Sequence, residues 1–393
     1  MTKISRQDNP SSASTFAAWC GVFSVFALLG YVFAKSYMRL GWDVGWRTSQ
    51  FFFNYQDLGF VKRALVGSFL HPFPSLRRGD VFLVLSAMFV VAFVVLFTAL
   101  FLRATRHVPP RGRLLLGALC AASPALFLRQ GFDLGRYDVL GLIAVIVSLF
   151  AIERGRCWIA GAASAVALLA HEAYIVINFP LIVACALTTG AERPSTRQLC
   201  LLLVPPAIVT LLLAAFGLYE PGLAALEKYF AGDSRYLVAK GGSVDVDAIA
   251  VLTRGMAENV DYVARMFWEK RAWLHLPIIV AWGAIMTWFL HAFHRQNALR
   301  RGLLYYAAFT PVLLSAIASD YYRWVALAAT NIFLVILIEA QRLGEGGTPA
   351  IIPRGWPVAL LIASALLGPI SNTKSFPLLF TVLDRFFPGK IPW

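Results

Sequence analysis

Hydrophobic positions in this 393-residue chain fall in long blocks, not in alternation. Runs of about 20 apolar residues recur along it, long enough to cross the roughly 30 Å hydrocarbon core as helices. A membrane barrel would show ten-residue alternation instead. The pattern predicts an all-α polytopic membrane protein with about eleven transmembrane helices, over 16–34, 81–102, 113–128, 137–152, 157–170, 173–188, 199–218, 276–293, 303–318, 322–340 and 356–371. One block decides part of that count. Between Arg156 and Arg193 runs CWIAGAASAVALLAHEAYIVINFPLIVACALTTGAE. Its apolar part, about 32 residues, would make one helix of roughly 48 Å at 1.5 Å per residue. That is too long for one span, so the block reads as a hairpin of two short helices turning at HEAY, His171 to Tyr174. No fixed-period repeat stands out, and 1–393 reads as one integral membrane domain.

The polar positions sort the connections. Basic clusters at Lys3/Arg6, Arg103–Arg113, Arg154/Arg156, Arg193/Arg197, Arg295–Arg301 and Arg342/Arg354 mark the cytoplasmic side. The amino terminus then lies inside and the tail outside. The remaining connections face out: 35–80, Arg129–Asp138, the HEAY turn, a long loop over 219–275 and SDYYRW at 319–324.

Composition agrees. Residues are 59% hydrophobic and 14% charged, against about 25% charged in a soluble domain, and mean hydropathy is +0.68. The net charge of +14 would suggest nucleic acid in a soluble protein, but here the excess base is accounted for by inner loops. The five cysteines, Cys20, Cys120, Cys157, Cys185 and Cys200, lie in or beside apolar runs and form no loop pair, which argues against a disulfide framework. The run 16–34 lacks a signal-type cleavage site and reads as a retained first helix.

Candidate chemistry collects on the outer side. NYQDLGFVKRALVGSF carries Asp57, Lys62 and Arg63; RQGFDLGRYD carries Asp133, Arg136 and Asp138; HEAY carries His171 and Glu172; SDYYRW carries Asp320 and Arg323. Each has a structural reading: snorkelling cations at 62–63, a turn stabilised by Asp–Arg pairs, a helix-end His–Glu pair, an interfacial aromatic anchor. Ionisable residues at membrane depth cost about 2.5–3.5 kcal/mol each on insertion scales, so four such groups on one side point to a shared site. Val61, Leu65 and Phe69 recur every fourth residue, with Ala64 and Ser68 alongside. That spacing predicts an interfacial helix over about 60–70, apolar side down, with Lys62 and Arg63 toward the headgroups.

This layout resembles the GT-C superfamily of membrane glycosyltransferases and the neighbouring O-antigen polymerases and ligases. After the first helix comes a long outer loop with an acidic residue, here Asp57 in NYQDLGF with Asp43 as rival, running into an interfacial helix. The resemblance implies transfer of a sugar from a polyprenyl-phosphate or -diphosphate donor to a glycan or lipid acceptor on the extracytoplasmic face of a bacterial inner membrane. It implies Asp57 as base, with His171 and Glu172 orienting the acceptor or standing in as base. Lys62, Arg63, Arg136 and Arg323 would hold phosphate; Asp133, Asp138 and Asp320 would pin the arginines or meet sugar hydroxyls. Tyr236 and Arg235 lie on the long loop, which would cover the site. No cofactor is certain, and a divalent metal is left open. Two other classes stay open: a transporter or flippase of a lipid-linked anion, and a membrane acyltransferase using His171.

Overall fold

The computed structural model describes residues 46–189, 194–269, 280, 283–284, 298–318 and 320–343. The helices expected over 16–34 and 356–371, Asp43, and all of the helix expected over 276–293 except 280 and 283–284 lie outside the described residues. Within them every element is helical. In chain order these are a 3-10 turn at Trp46–Phe52, then α1 (Tyr55–Leu58), α2 (Leu65–Leu70), α3 (Gly79–Ala104), α4 (Pro110–Ala122), α5 (Phe127–Phe132), α6 (Asp138–Glu153), α7 (Cys157–Ala170), α8 (Tyr174–Ile177), α9 (Phe179–Thr189) and α10 (Thr196–Phe216). The loop after α10 folds into α11 (Leu223–Gly232), α12 (Ser234–Ala239), α13 (Val246–Ala250) and α14 (Met256–Glu269). Then come α15 (Ala298–Phe309), a 3-10 turn at Thr310–Ala316, and α16 (Tyr321–Leu343).

Among the described residues, four stretches are long and apolar enough to cross a bilayer, the mark of a membrane protein: Gly79–Ala104, Gly112–Phe132, Thr196–Phe216 and Tyr321–Gln341. They occupy different positions. The Tyr321–Gln341 stretch is 89% buried, whereas Thr196–Phe216 is 17% buried, so α16 forms the centre and α10 the rim. The apolar block at 157–189 divides into α7, a turn at His171–Ala173, α8 and α9. Inside the core, the Asn178 amide donates to Asn331 Oδ1 (2.9 Å), and the Asn331 amide donates to the Ile177 carbonyl (2.7 Å). Buried amides with no water available must pair with each other, which fixes α16 against the α8–α9 junction. At Gly161 α7 runs against α10 so closely that a Cβ would sit 2.2 Å from the Leu201 carbonyl oxygen.

A second cluster forms beyond the helix ends. Phe51, Phe52 and Phe53 are buried; Phe51 stacks on Phe82 at the start of α3 and meets Tyr137 edge-on at 5.2 Å. Phe53 and Phe52 contact Phe230 of α11 and Tyr236 of α12. Leu226 and Phe230, four residues apart, present one apolar face of α11 to this cluster. The long loop is therefore packed down, not extended.

The helix expected over 60–70 is shorter than its apolar spacing predicted. It begins at Leu65, because Gly59 and Arg63 take positive φ values of 72° and 65°, outside the right-handed helical region. Val61 is buried while Phe69 is 71% exposed, so the fourth-residue stripe does not share a face. Gly67 crosses the 51–53 backbone, where a Cβ would lie 1.9 Å from the Phe53 carbonyl oxygen. Gly67→Ala should therefore lower stability by at least about 1–3 kcal/mol. Gly232→Ala, with open space at its Cβ, should not. Thermal melts of the two variants in detergent check the contrast.

Candidate functional site

One end of the helix bundle carries most of the ionisable side chains the sequence singled out, and a single residue ties them together. Arg323, in the first turn of α16, is buried and grips two carboxylates. Its Nε and Nη2 donate to Asp138 Oδ2 (2.8 Å) and Oδ1 (2.5 Å), and its Nη1 donates to Asp320 Oδ2 (3.0 Å). The guanidinium lies 4.6 Å from the Trp324 ring centroid, which fixes its plane. A cation is disfavoured at a helix N-terminus. Asp320, just before α16, and Asp138, in the first turn of α6, offset that cost.

The network extends both ways. Arg136 Nη1 donates to Asp320 Oδ2 (3.3 Å); Arg129 Nη2 donates to Asp138 Oδ2 (3.3 Å) and lies 3.9 Å from Asp133 Oδ2. Gly135, at φ 93°, turns the chain so that Asp133, Arg136 and Asp138 face one place, and its carbonyl accepts from the Gln50 amide. On the other side, Arg323 Nη2 lies 2.7 Å from His171 Nε2. A guanidinium can only donate, so Nε2 is the acceptor and the ring proton sits on Nδ1, 3.7 Å from Glu172 Oε2. In that tautomer the 3.2 Å approach of the Ala173 N–H to Nδ1 is a close contact, not a hydrogen bond. Glu172 in turn accepts from Arg63 through Nε (2.9 Å) and Nη2 (2.5 Å). Four guanidinium groups thus meet four carboxylates in one connected, balanced set.

Lys62 and Arg63 do not face outward as the interfacial reading required. Arg63 turns in to Glu172, and Lys62 Nζ donates to the Arg254 carbonyl (3.1 Å). Burial lowers the Lys62 ammonium pKa below its ordinary value. Of the arginines expected to hold phosphate, Arg136 bonds Asp320, and Arg323 bonds Asp138 and Asp320. Tyr236, expected over the site, is buried in the aromatic cluster with its hydroxyl beside Ser49 and the Asp245 N–H; Arg235 pairs with Asp233.

Asp57 belongs to a separate contact set of its own. Its Oδ2 accepts from the Asn54 amide (3.0 Å) and the Tyr229 hydroxyl (2.5 Å), with His71 Nδ1 at 3.4 Å. Its backbone N–H donates to Asn54 Oδ1, which caps α1. Oδ1 accepts no hydrogen bond from any described residue, and the side chain is 29% accessible. Burial pushes the Asp57 carboxyl up, but Tyr229, Asn54, His71 and Arg77 outweigh it and hold it below the usual carboxylate range. Asn54, His71, Arg129 and Tyr229 were not among the residues the sequence singled out. Arg129 opens the RQGFDLGRYD motif, and Asn54 precedes Asp57 at N-cap spacing; nothing in the loop sequence marks Tyr229.

Among the described residues, no group of three or more His, Cys, Asp or Glu side chains is placed to hold a metal ion. The chain matches no protein-family model, no curated protein and no solved structure.

Two consequences are measurable. Arg323→Met leaves Asp138 and Asp320 without their main cation and should destabilise by about 3–5 kcal/mol, the range for breaking one side of a buried pair. Denaturation in detergent checks this. His171, lowered to about 3 by burial and by the cations Arg63 and Arg323, stays neutral in the fold, whereas in the unfolded chain it titrates near 6.5. The unfolded chain binds more protons between those values, so His171 contributes stability above about pH 6.5 that is lost as pH falls toward 3. His171→Gln, which keeps an acceptor but cannot titrate, should flatten that part of the stability–pH curve.

Proposed function

We propose that this protein is a bacterial inner-membrane glycosyltransferase of GT-C-like design, acting at the extracytoplasmic face on a polyprenyl-phosphate-linked or -diphosphate-linked sugar. The observation that supports it is the divided carboxylate of Asp57. One oxygen is pinned by the Asn54 amide and the Tyr229 hydroxyl, and the other accepts no hydrogen bond from any described residue. A general base needs a fixed orientation, an ionised state at working pH and a free lone pair, and Asp57 combines all three.

In this reading Asp57 Oδ1 takes the proton of the acceptor hydroxyl. The hydroxyl oxygen bonds to the anomeric carbon as the carbon–oxygen bond to the lipid phosphate breaks, with inversion. Negative charge grows on that phosphate and calls for cations already in place. Arg63 uses Nε and Nη2 on Glu172, which leaves its Nη1 edge for an anion, and Lys62 is its neighbour. Arg129, Arg136 and Arg323 lie deeper and hold the frame. Glu172, 29% accessible, meets the acceptor; His171, held by Arg323, lies beside it.

Asp57→Asn should lower transfer from a polyprenyl-phosphate sugar in proteoliposomes by about 10²–10⁴-fold, the usual range for a lost general base. Its melting temperature should stay near wild type. Turnover equal to wild type would overturn the role of Asp57. Movement of the intact lipid across the bilayer without sugar transfer would replace the reading with a transporter.

A further inference from the structure

We propose that Tyr229, on the long loop, is a positioning residue for the base: its hydroxyl occupies Asp57 Oδ2 and so assigns proton uptake to Oδ1. This rests on the reading of Asp57 as base, and it makes the loop part of the site. The loop is built to deliver this hydroxyl. Leu226 and Phe230 anchor α11 in the aromatic cluster under Phe53, and Tyr229 stands edge-on to Phe230 with ring centroids 5.0 Å apart. The O–H then reaches Oδ2 at 2.5 Å across 172 positions of sequence. Four segments contribute to the same balance: Asn54 from its own helix cap, His71 after α2, Arg77 before α3, and Tyr229 from α11.

A carboxylate has two basic oxygens, and a mobile one presents either. With Oδ2 taken by Asn54 and Tyr229, only Oδ1 can meet an acceptor, and its direction is set by the loop. The exchange is reciprocal: burial, together with the carboxylate beside it, pushes the Tyr229 phenol up to about 12, so it remains a donor at any physiological pH.

The test is Tyr229→Phe, which keeps the ring on Phe230 and removes only the O–H. One charge-assisted hydrogen bond is worth about one to two pH units of proton affinity. The Asp57 carboxyl, followed by infrared titration of the detergent-solubilised full chain and assigned by difference from Asp57→Asn, should therefore titrate about one to two units higher. The acidic limb of the transfer rate should move with it, and kcat should fall more than acceptor KM rises. Incorporation of 3-fluorotyrosine, a stronger donor of nearly the same shape, should move the limb the opposite way and covers the case in which Tyr229→Phe folds poorly. An unchanged Asp57 titration in Tyr229→Phe would overturn the proposal even if Asp57→Asn is inactive. Failure of the wild-type protein to transfer sugar would instead remove the catalytic reading, and the infrared titration would still decide the contact.

Discussion

A buried guanidinium sets the geometry of this protein. Arg323 sits in the most enclosed of the apolar helices, where an unpaired cation is prohibitive. Its four side-chain hydrogen bonds form only if the start of α6, the residue before α16 and the turn after α7 arrive at the same place. Each of those arrivals brings another charge that needs a partner, and the pairing continues through Arg129, Arg136 and Glu172 until it closes on Arg63. A buried pair gives little net stability compared with an apolar core of the same volume. What it does give is a penalty on every other arrangement of these helix ends. The network is better understood as specifying one alignment than as a source of stability.

Asp57 is held by different physics. No guanidinium grips it directly; its surroundings are fixed by aromatic burial. Phe51, Phe52 and Phe53 tie the first loop to α3, to the 135–137 turn and to α11 and α12. The two systems meet in the short turn from Gly59 to Arg63. Arg63 accepts a left-handed backbone conformation that is unfavourable for a residue with a Cβ, and its bond to Glu172 compensates. That turn is the mechanical link between a rigid charged frame and a carboxylate that stays partly open. Gly67, which lets α2 lie directly on the 51–53 backbone, keeps the link short.

How much of this the sequence disclosed depends on the range of each signal. Helix-forming blocks are local, and the division of the 157–189 block at HEAY followed from its length and from the basic residues on both flanks. That RQGFDLGRYD, HEAY and SDYYRW contribute to one network followed from charge appearing on one side of a hydrophobic chain, which is a topological argument and needs no contacts. Orientation was not legible. The apolar spacing at Val61, Leu65 and Phe69 imitates a helix face, but periodicity carries no information about Arg63, whose φ is decided by a partner more than a hundred residues away. For the same reason the carboxylate partners of Arg136 and Arg323 were not legible: an arginine in a motif looks the same whether its partner is a carboxylate already in the fold or an anion yet to bind. Tyr229 left no trace because a tyrosine in an amphipathic loop helix is ordinary, and only the docking of Phe230 beside it makes it special.

The three acidic or basic side chains that could move a proton here can be ranked by environment alone. His171 accepts from a guanidinium at Nε2 and is buried, so protonation would set a second cation against Arg323; its ring is a fixed acceptor, not a base at neutral pH. Glu172 has both oxygens engaged by Arg63, and that cation, with Lys62, overcomes the effect of burial and keeps its carboxyl far below the usual range, so taking up a proton means breaking a bidentate pair. Asp57 is also ionised at neutral pH, yet its stabilisation comes from neutral donors and a histidine gathered on one oxygen. Adding a proton to its other oxygen breaks none of those bonds. The difference lies in where the partners bind, and it singles out Asp57 as the carboxylate that can gain and lose a proton without disturbing the structure around it.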